Sequence, residues 1–352
     1  MLETPLLTEP EEVPAEHTRS RPVHWLLAVL LPVGALLVYA GLSVLSDASA
    51  WPRFIVGILG VGVSYVGLDA LLRAVVGHKV DTGVWLAVAW LTLVLGAAVF
   101  ADLLPLAESR NASRTLLESP RARPDIVSGH PLGTDHQALD TLGGVIYGAR
   151  VSLQVSFFAV AIGTVIGGLI GTAAGYFRGR LDAVVGLFTD SVLAFPPLIL
   201  LLAVVSVIDA SVFNISLALA LLSVPTYTRL ARANTLALAQ REFVLSARAM
   251  GARDWRIIFT ELVPNVVRPL LSYGFIIIAV LIVAEASLSF LGVGIQRPTP
   301  TWGNMISAGQ GQLETTPHLV FVPGGVMFLT VFALNRVGDR ARQLFDPRKS
   351  AI

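Results

Sequence analysis

Eight stretches of the chain are apolar over about the length a helix needs to cross a bilayer, roughly twenty residues. They lie at about 25–46, 54–76, 84–104, 151–175, 183–207, 212–230, 270–294 and 318–335. Inside hydrocarbon every backbone N–H and C=O must find a partner within the protein, and a helix satisfies its own. The sequence therefore predicts an all-α integral membrane protein, a polytopic helical bundle of about eight transmembrane helices. Only 14% of residues are charged and 54% are hydrophobic, against about a quarter charged in soluble domains. The segment at 212–230 is the weakest span, because Asn214, Ser216, Ser223, Pro225 and Thr226 interrupt it. Gly163, Gly167, Gly171 and Gly175 recur every fourth residue, a spacing that predicts close helix–helix packing.

An even number of crossings puts both termini on one side. With that side cytoplasmic, its loops receive 18 of the 25 Lys and Arg residues and the opposite side receives seven, the bias that sets membrane orientation. A formal net charge of +1 leaves no cationic excess for nucleic acid. The absence of cysteine excludes disulfides, thiolate chemistry and cysteine metal sites. Residues 1–24, with Glu3, Glu9, Glu11, Glu12, Pro5, Pro10 and Pro14, read as a disordered cytoplasmic tail rather than a signal peptide. Trp25, Trp51 and Pro52 are expected at membrane interfaces, and Asp69 with Arg73 as an i, i+4 pair.

One polar, arginine-rich island interrupts the apolar half of the chain, from Arg241 to Pro264. Phe243, Ala247 and Met250 fall at i, i+4 and i+7 and are predicted to share a face of a short helix, with Arg241 and Arg248 on another. Gly251 permits a reversal, Asp254 is placed as the N-cap of a second run starting at Trp255, and Pro264 marks where that run bends or ends.

This island resembles the cytoplasmic loop of ABC importer permeases whose core is Glu-Ala-Ala, three residues, Gly and, thirteen positions later, Pro. Gly251 and Pro264 have that spacing, and Glu242-Phe-Val with Ala247-Arg-Ala-Met-Gly-Ala252 is similar to the loop of the peptide/nickel (DppC/OppC-like) family. Leu245 and Ser246 replace the signature Glu and first Ala. Further blocks resemble the same family: His130-Pro-Leu-Gly-Thr-Asp135, Ile146 to Leu153, Gly175 to Asp182, Asp190 with Ala194-Phe-Pro196, Ala284 to Gly294 containing Glu285, Arg297 to Gly303, and Asn335 to Arg348. The usual arginine three residues before Asp190 is Leu187, and Ala138-Leu139 and Gly143-Gly144 depart from the family's arginines.

The resemblance implies a permease core over 84–338, with an outer loop at 105–150 and a coupling loop at 231–268, preceded by an additional transmembrane hairpin at 25–80 and followed by a cytoplasmic tail at 339–352. It implies that Glu242, Phe243, Leu245, Ser246, Ala247, Arg248, Met250, Gly251, Arg253, Asp254 and Pro264 meet an ATPase, and that Asp190, Pro196 and Glu285 line the pathway or gate. The implied partners are a homologous permease, two ABC ATPase subunits and an extracytoplasmic substrate-binding protein. ATP and magnesium would sit on the ATPases. This chain has no Gly-x-x-x-x-Gly-Lys-[Ser/Thr] and its only lysines are Lys79 and Lys349, so neither catalysis nor a cofactor is assigned to it. His130 and Asp135 can be read as metal ligands, but a lone His beside Pro reads as a turn residue and no metal site is assigned. Glu285, in the outer part of the membrane, could line a gate or pair with an arginine. A secondary transporter or channel driven by an ion gradient and a non-transporting scaffold stay open as alternatives; an ion-driven carrier calls for intramembrane carboxylates or broken helices in corresponding halves.

Overall fold

The computed structural model describes residues 29–39, 56, 59–60, 62–71, 81–125 and 129–345. The readings made for residues 1–24, Trp25, Trp51, Pro52, Arg73, Lys79 and Asp346 to Arg348 fall outside that set. Among the described residues, the chain is helical apart from turns, short 3-10 segments and two isolated β-bridges. Two compact units divide it, 1–83 and 84–352.

In the first unit, α1 (Leu30–Tyr39) and α2 (62–71) approach each other at glycines. A Cβ on Gly34 would strike the backbone of Ser64, and one on Gly67 the backbone of Leu31, so the two helices touch backbone to backbone.

The second unit carries α3 (Thr82–Val99), α4 (Thr141–Phe177), α5 (Gly179–Ala194), α6 (Pro197–Val205), α7 (Val212–Leu238), α8 (Glu242–Ala249), α9 (Asp254–Phe290), α10 (Trp302–Gly309) and α11 (His318–Phe345). By length and apolarity α3, α4, α9 and α11 can each cross a membrane, and α5 with α6 forms a pair bent by 90° that is long and apolar enough for a broken span or a re-entrant loop. The expected continuous span at 183–207 is corrected by this break. Phe195 and Pro196 are extended because each precedes a proline, and the ring of Pro at i+1 disfavours the helical region at i.

Three predicted boundaries also move. The outer loop ends at Asp140 rather than 150, since the Asp140 carboxylate accepts the Gly143 N–H at 2.7 Å and starts α4 ten residues early. The coupling loop shrinks from 231–268 to the segment between α7 and α9, because α7 runs on to Leu238 and α9 begins at Asp254. α11 continues to Phe345, through the start of the presumed tail. In each case polar residues on a helix were read as loop.

Helix α7 does not reach the apolarity of a span, and its position explains why it need not. Ile215, Leu219, Tyr227 and Ala231 are fully buried, packed with Val155, Ala159, Leu201 and Leu270 from its neighbours. Its Ser223 hydroxyl donates to the Ala159 carbonyl at 2.7 Å, so interruptions that lipid would penalise are answered by protein. The glycine stripe of α4 is what lets α7 come so near. A Cβ built on Gly163, Gly167, Gly171 or Gly175 would fall closer than 3.0 Å to Ser223, Val224, Thr228 or Arg232 respectively, a carbonyl oxygen in the last three cases.

Gly171→Ala is expected to lower the thermal stability of the purified chain, since overpacking costs about 1–3 kcal/mol and the obstacle is backbone. Gly96→Ala, with nothing within 4 Å of its new Cβ, should be neutral or gain up to about 1 kcal/mol in helix propensity. Equal melting of Gly171→Ala and the parent chain would contradict the α4–α7 contact.

Candidate functional site

Between α7 and α9 the chain makes a helix, a reversal and a new helix, fastened to one end of the bundle. Val244 and Ala247 turn inward at i and i+3 and pack with Tyr176 at the end of α4 and with Ile257, Ile258 and Leu262 of α9. The reversal is a Schellman motif. Gly251 has φ +80, its N–H donates to the Arg248 carbonyl, and the Ala252 N–H donates to the Ala247 carbonyl, both at 3.0 Å. Tyr176 serves the whole element: its hydroxyl donates to Asp254 at 2.6 Å, and the Arg248 guanidinium lies 5.3 Å from its ring centre.

The outward side is apolar. Met250 is 82% exposed and Trp255 70% exposed, with Phe243, Leu245 and Phe259 also open; Trp255 and Phe259 stack at 5.1 Å between ring centres. Glu242, Ser246, Arg248, Arg253 and Arg256 lie exposed around them. The predicted face of Phe243, Ala247 and Met250 is therefore divided, because the small Ala247 is the residue that lets α8 seat on Tyr176. Asp254 is not an N-cap: Arg253 occupies the cap position without a side-chain bond, and the Asp254 carboxylate is used by Tyr176. Pro264, exposed on α9, neither ends nor breaks the helix. A π-helical turn over Ile257–Leu262 widens the backbone just before it, with the Val263 N–H reaching back to Ile258, which absorbs the N–H that proline lacks. Sequence reasoning missed Tyr176, Val244, Trp255 and Phe259; the i, i+4 spacing of the last two was the available signal.

Of the residues expected along the pathway, Asp190 is exposed and takes an Arg229 N–H from α7 at 2.6 Å. Asp182 is likewise held by Arg232, one turn further along α7. The arginine that the sequence lacks at Leu187 is thus supplied by a different helix. Pro196 sits exposed at the break between α5 and α6. Glu285 is corrected on both counts: it is 0% exposed, so it lines no open path in this conformation, and its carboxylate accepts the hydroxyls of Ser152 at 2.9 Å and Ser289 at 2.7 Å rather than pairing with an arginine.

At the opposite end of the bundle, Arg150 of α4 donates to the last carbonyls of α3, at Ala98 and Val99, and to Asp102. His130 lies between Asp140 at 3.0 Å and Glu118 at 3.5 Å, while Asp135 pairs with Arg297 at 2.7 Å. The two sequence candidates for metal ligation thus go to different partners, and among the described residues no group of three or more acidic or histidine side chains is placed to hold a metal. The amide N–H of Arg110, helped by that of Asn111 and by Arg114, holds the Glu108 carboxyl below the ordinary carboxylate range.

Residues 163–351 match the family of binding-protein-dependent transport system inner membrane components. The chain belongs to this family. The matched region takes in the glycine stripe, α7, the α8 turn and the membrane helices that hold them, so the permease element described above lies within it. The permease is 38% identical over 221 residues to the glutathione transport system permease protein GsiD of Pectobacterium atrosepticum, covering 63% of this chain and 73% of that protein. It is 35% identical over 254 residues to the dipeptide transport system permease protein DppC of Alkalihalophilus pseudofirmus, covering 71% and 81%. A solved structure of the MetNI methionine ABC transporter in an inward-facing form aligns at 19% identity with a TM-score of 0.46, over 57% of this chain and 96% of that one.

Gly251→Val is expected to open the reversal of the permease loop, because a β-branched residue at this φ is strained by about 1–3 kcal/mol although space for it exists. Hydrogen exchange at the Gly251 and Ala252 amides should accelerate in that variant and stay near the parent rate in Gly251→Asn, which tolerates the left-handed region. Unchanged protection in Gly251→Val would show that the turn does not depend on the glycine.

Proposed function

We propose that this permease forms half of the translocation pathway of an ATP-driven importer for di- or oligopeptides or a related small solute, and that α8 with the start of α9 is where a separate ATPase pushes. The observation that carries the reading is the open apolar patch of Met250, Trp255 and Phe259 among arginines on an element otherwise fastened to the bundle. An open apolar patch rimmed by polar residues is what a docking surface for a protein partner requires. The names of the two relatives, one for glutathione and one for dipeptide transport, support a peptide-like cargo.

In this reading the partners are a homologous permease, two ABC ATPase subunits and an extracytoplasmic substrate-binding protein, and ATP and magnesium belong to the ATPases. Both termini and the α8 loop face the cytoplasm. Closure of the ATPases displaces α8; the packing of Val244 and Ala247 on Tyr176 and Ile257 passes the movement to α4 and α9 together, as rigid bodies. Asp190 and Asp182, tied to α7, carry it to the bent α5–α6 span, whose Pro196 break faces the second permease. The core runs from 84 to the end of α11 at Phe345, and the 25–80 hairpin is an accessory to it.

Trp255→Ala should weaken co-purification of the ATPases by about 2 kcal/mol or more, as buried aromatic anchors do, whereas Arg253→Gln should cost about 0–1 kcal/mol, as exposed charges do. Equal, negligible effects would remove α8 from the interface. Reconstituted alone, the chain should neither hydrolyse ATP nor accumulate peptide; with its partners it should do both. Gradient-driven uptake by the chain alone would make it a secondary transporter. Deletion up to Val80 should leave coupled uptake intact, and an inserted, assembled but inactive deletion variant would place the hairpin in the mechanism.

A further inference from the structure

At the end of the bundle away from α8, a cavity of about 590 Å³ opens between the loop before α4, the segment before α10, and α10 itself. The end-to-end distance is large, since the 37 residues of α4 rise by about 55 Å at 1.5 Å per residue. The volume suits a small organic molecule. Leu139, Met305, Ala308 and Leu319 give it an apolar side, and Arg110, Arg297, Asn111 and Gln137 a polar one.

The hydrogen bonds of the wall are unbalanced. Both acids are already used: one Asp135 oxygen accepts the amides of Gln137 and Leu139 and the other takes Arg297, while Asp140 accepts the Gly143 amide and faces His130. The donors are not. Arg297 engages its acceptors through one terminal nitrogen only. Arg110 stacks 4.0 Å over the Tyr147 ring and stands 4.0 Å from Asp102, an acid already held by Arg150 and Tyr147. The hydroxyls of Ser109 and Thr141 are sealed inside the wall and do not open onto the cavity. Guanidinium forks with nitrogens left over ask for an acceptor with two oxygens in a plane.

We propose that this cavity binds the free carboxylate of a short peptide, with Arg110 and Arg297 on the carboxylate and the apolar wall accepting the adjoining side chain. It is a holding site on the entry side of the permease, distinct from the α8 element. The proposal rests on the peptide-importer reading and adds to it what the outer end recognises. Selection is for the terminal carboxylate, so that cargo side chains can vary.

The test measures binding of alanyl-phenylalanine and of its C-terminal amide to the full-length chain in nanodiscs. The free acid should bind and the amide should bind at least about tenfold more weakly, the factor that loss of one charge-assisted hydrogen bond corresponds to. Arg110→Gln should weaken the free acid by about tenfold and leave the amide unchanged, with Arg110→Lys recovering part of the loss. Arg110 is the decisive position, because Arg297→Gln also frees Asp135 and could disturb the loop. Equal binding of acid and amide, or an Arg110→Gln variant that binds the acid as the parent does, overturns the proposal. So does Arg110→Gln weakening the docking of a substrate-binding protein while leaving dipeptide binding alone, which would assign the cavity to a protein carboxylate. Uptake by the assembled importer separates the two levels: peptide uptake without carboxylate-selective binding removes the cavity alone, and absence of peptide uptake by the assembled parent importer removes the peptide reading with it.

Discussion

The contact on which the permease core depends is backbone against backbone, along the line where α4 meets α7. Four glycines one turn apart leave no side chain between the helices, and in lipid, where burial of apolar surface gives little net drive, such close packing is what holds helices together. The contact also lets α7 be what its sequence suggests it should not be. A helix with Pro225, Ser223, Arg229 and Arg232 would be costly beside lipid; flanked by α4, α6 and α9 it keeps Ser223, Arg229 and Arg232 bonded to protein.

Locking α4 to α7 fixes both anchor points of the functional element at once. α7 delivers the chain to α8, and the far end of α4 presents Tyr176, on which α8 and the start of α9 close. The element is consequently stiff where it meets the bundle and apolar where it faces away, the combination that a lever needs. A loop attached only by its ends would absorb a push instead of passing it on.

Much of this could be read in advance because it depends on pattern. Apolar run length gave the membrane class, the Gly spacing gave a close helix contact though not its partner, and the distance from Gly251 to Pro264 located the loop, with the positive φ of Gly251 found where a reversal was expected. What could not be read depends on what a residue meets across the fold. Ala247 and Phe243 differ by one turn, yet only the small one fits against Tyr176. Asp254 looks like a cap until a tyrosine from 78 residues earlier takes its carboxylate. Glu285 looks like a gate until two serines enclose it. Pro196 was in view as part of a motif, but the bend made there depends on neighbours that no local pattern shows. Leu187 looked like a lost arginine, and the charge was restored from α7.

The central claim is that Met250 and its neighbours form a cytoplasmic surface that an ATPase covers, while Val244 belongs to the bundle. The absence of native cysteine allows a direct measurement: single Met250→Cys and Val244→Cys chains, probed with a membrane-impermeant thiol reagent from each side, with and without ATPase subunits. The account predicts that Met250→Cys is labelled from the cytoplasmic side in the free chain and protected at least about tenfold on assembly, and that Val244→Cys is labelled in neither. Labelling of Met250→Cys that is equally fast with the ATPases assembled, or that occurs only from the outer side, would contradict it.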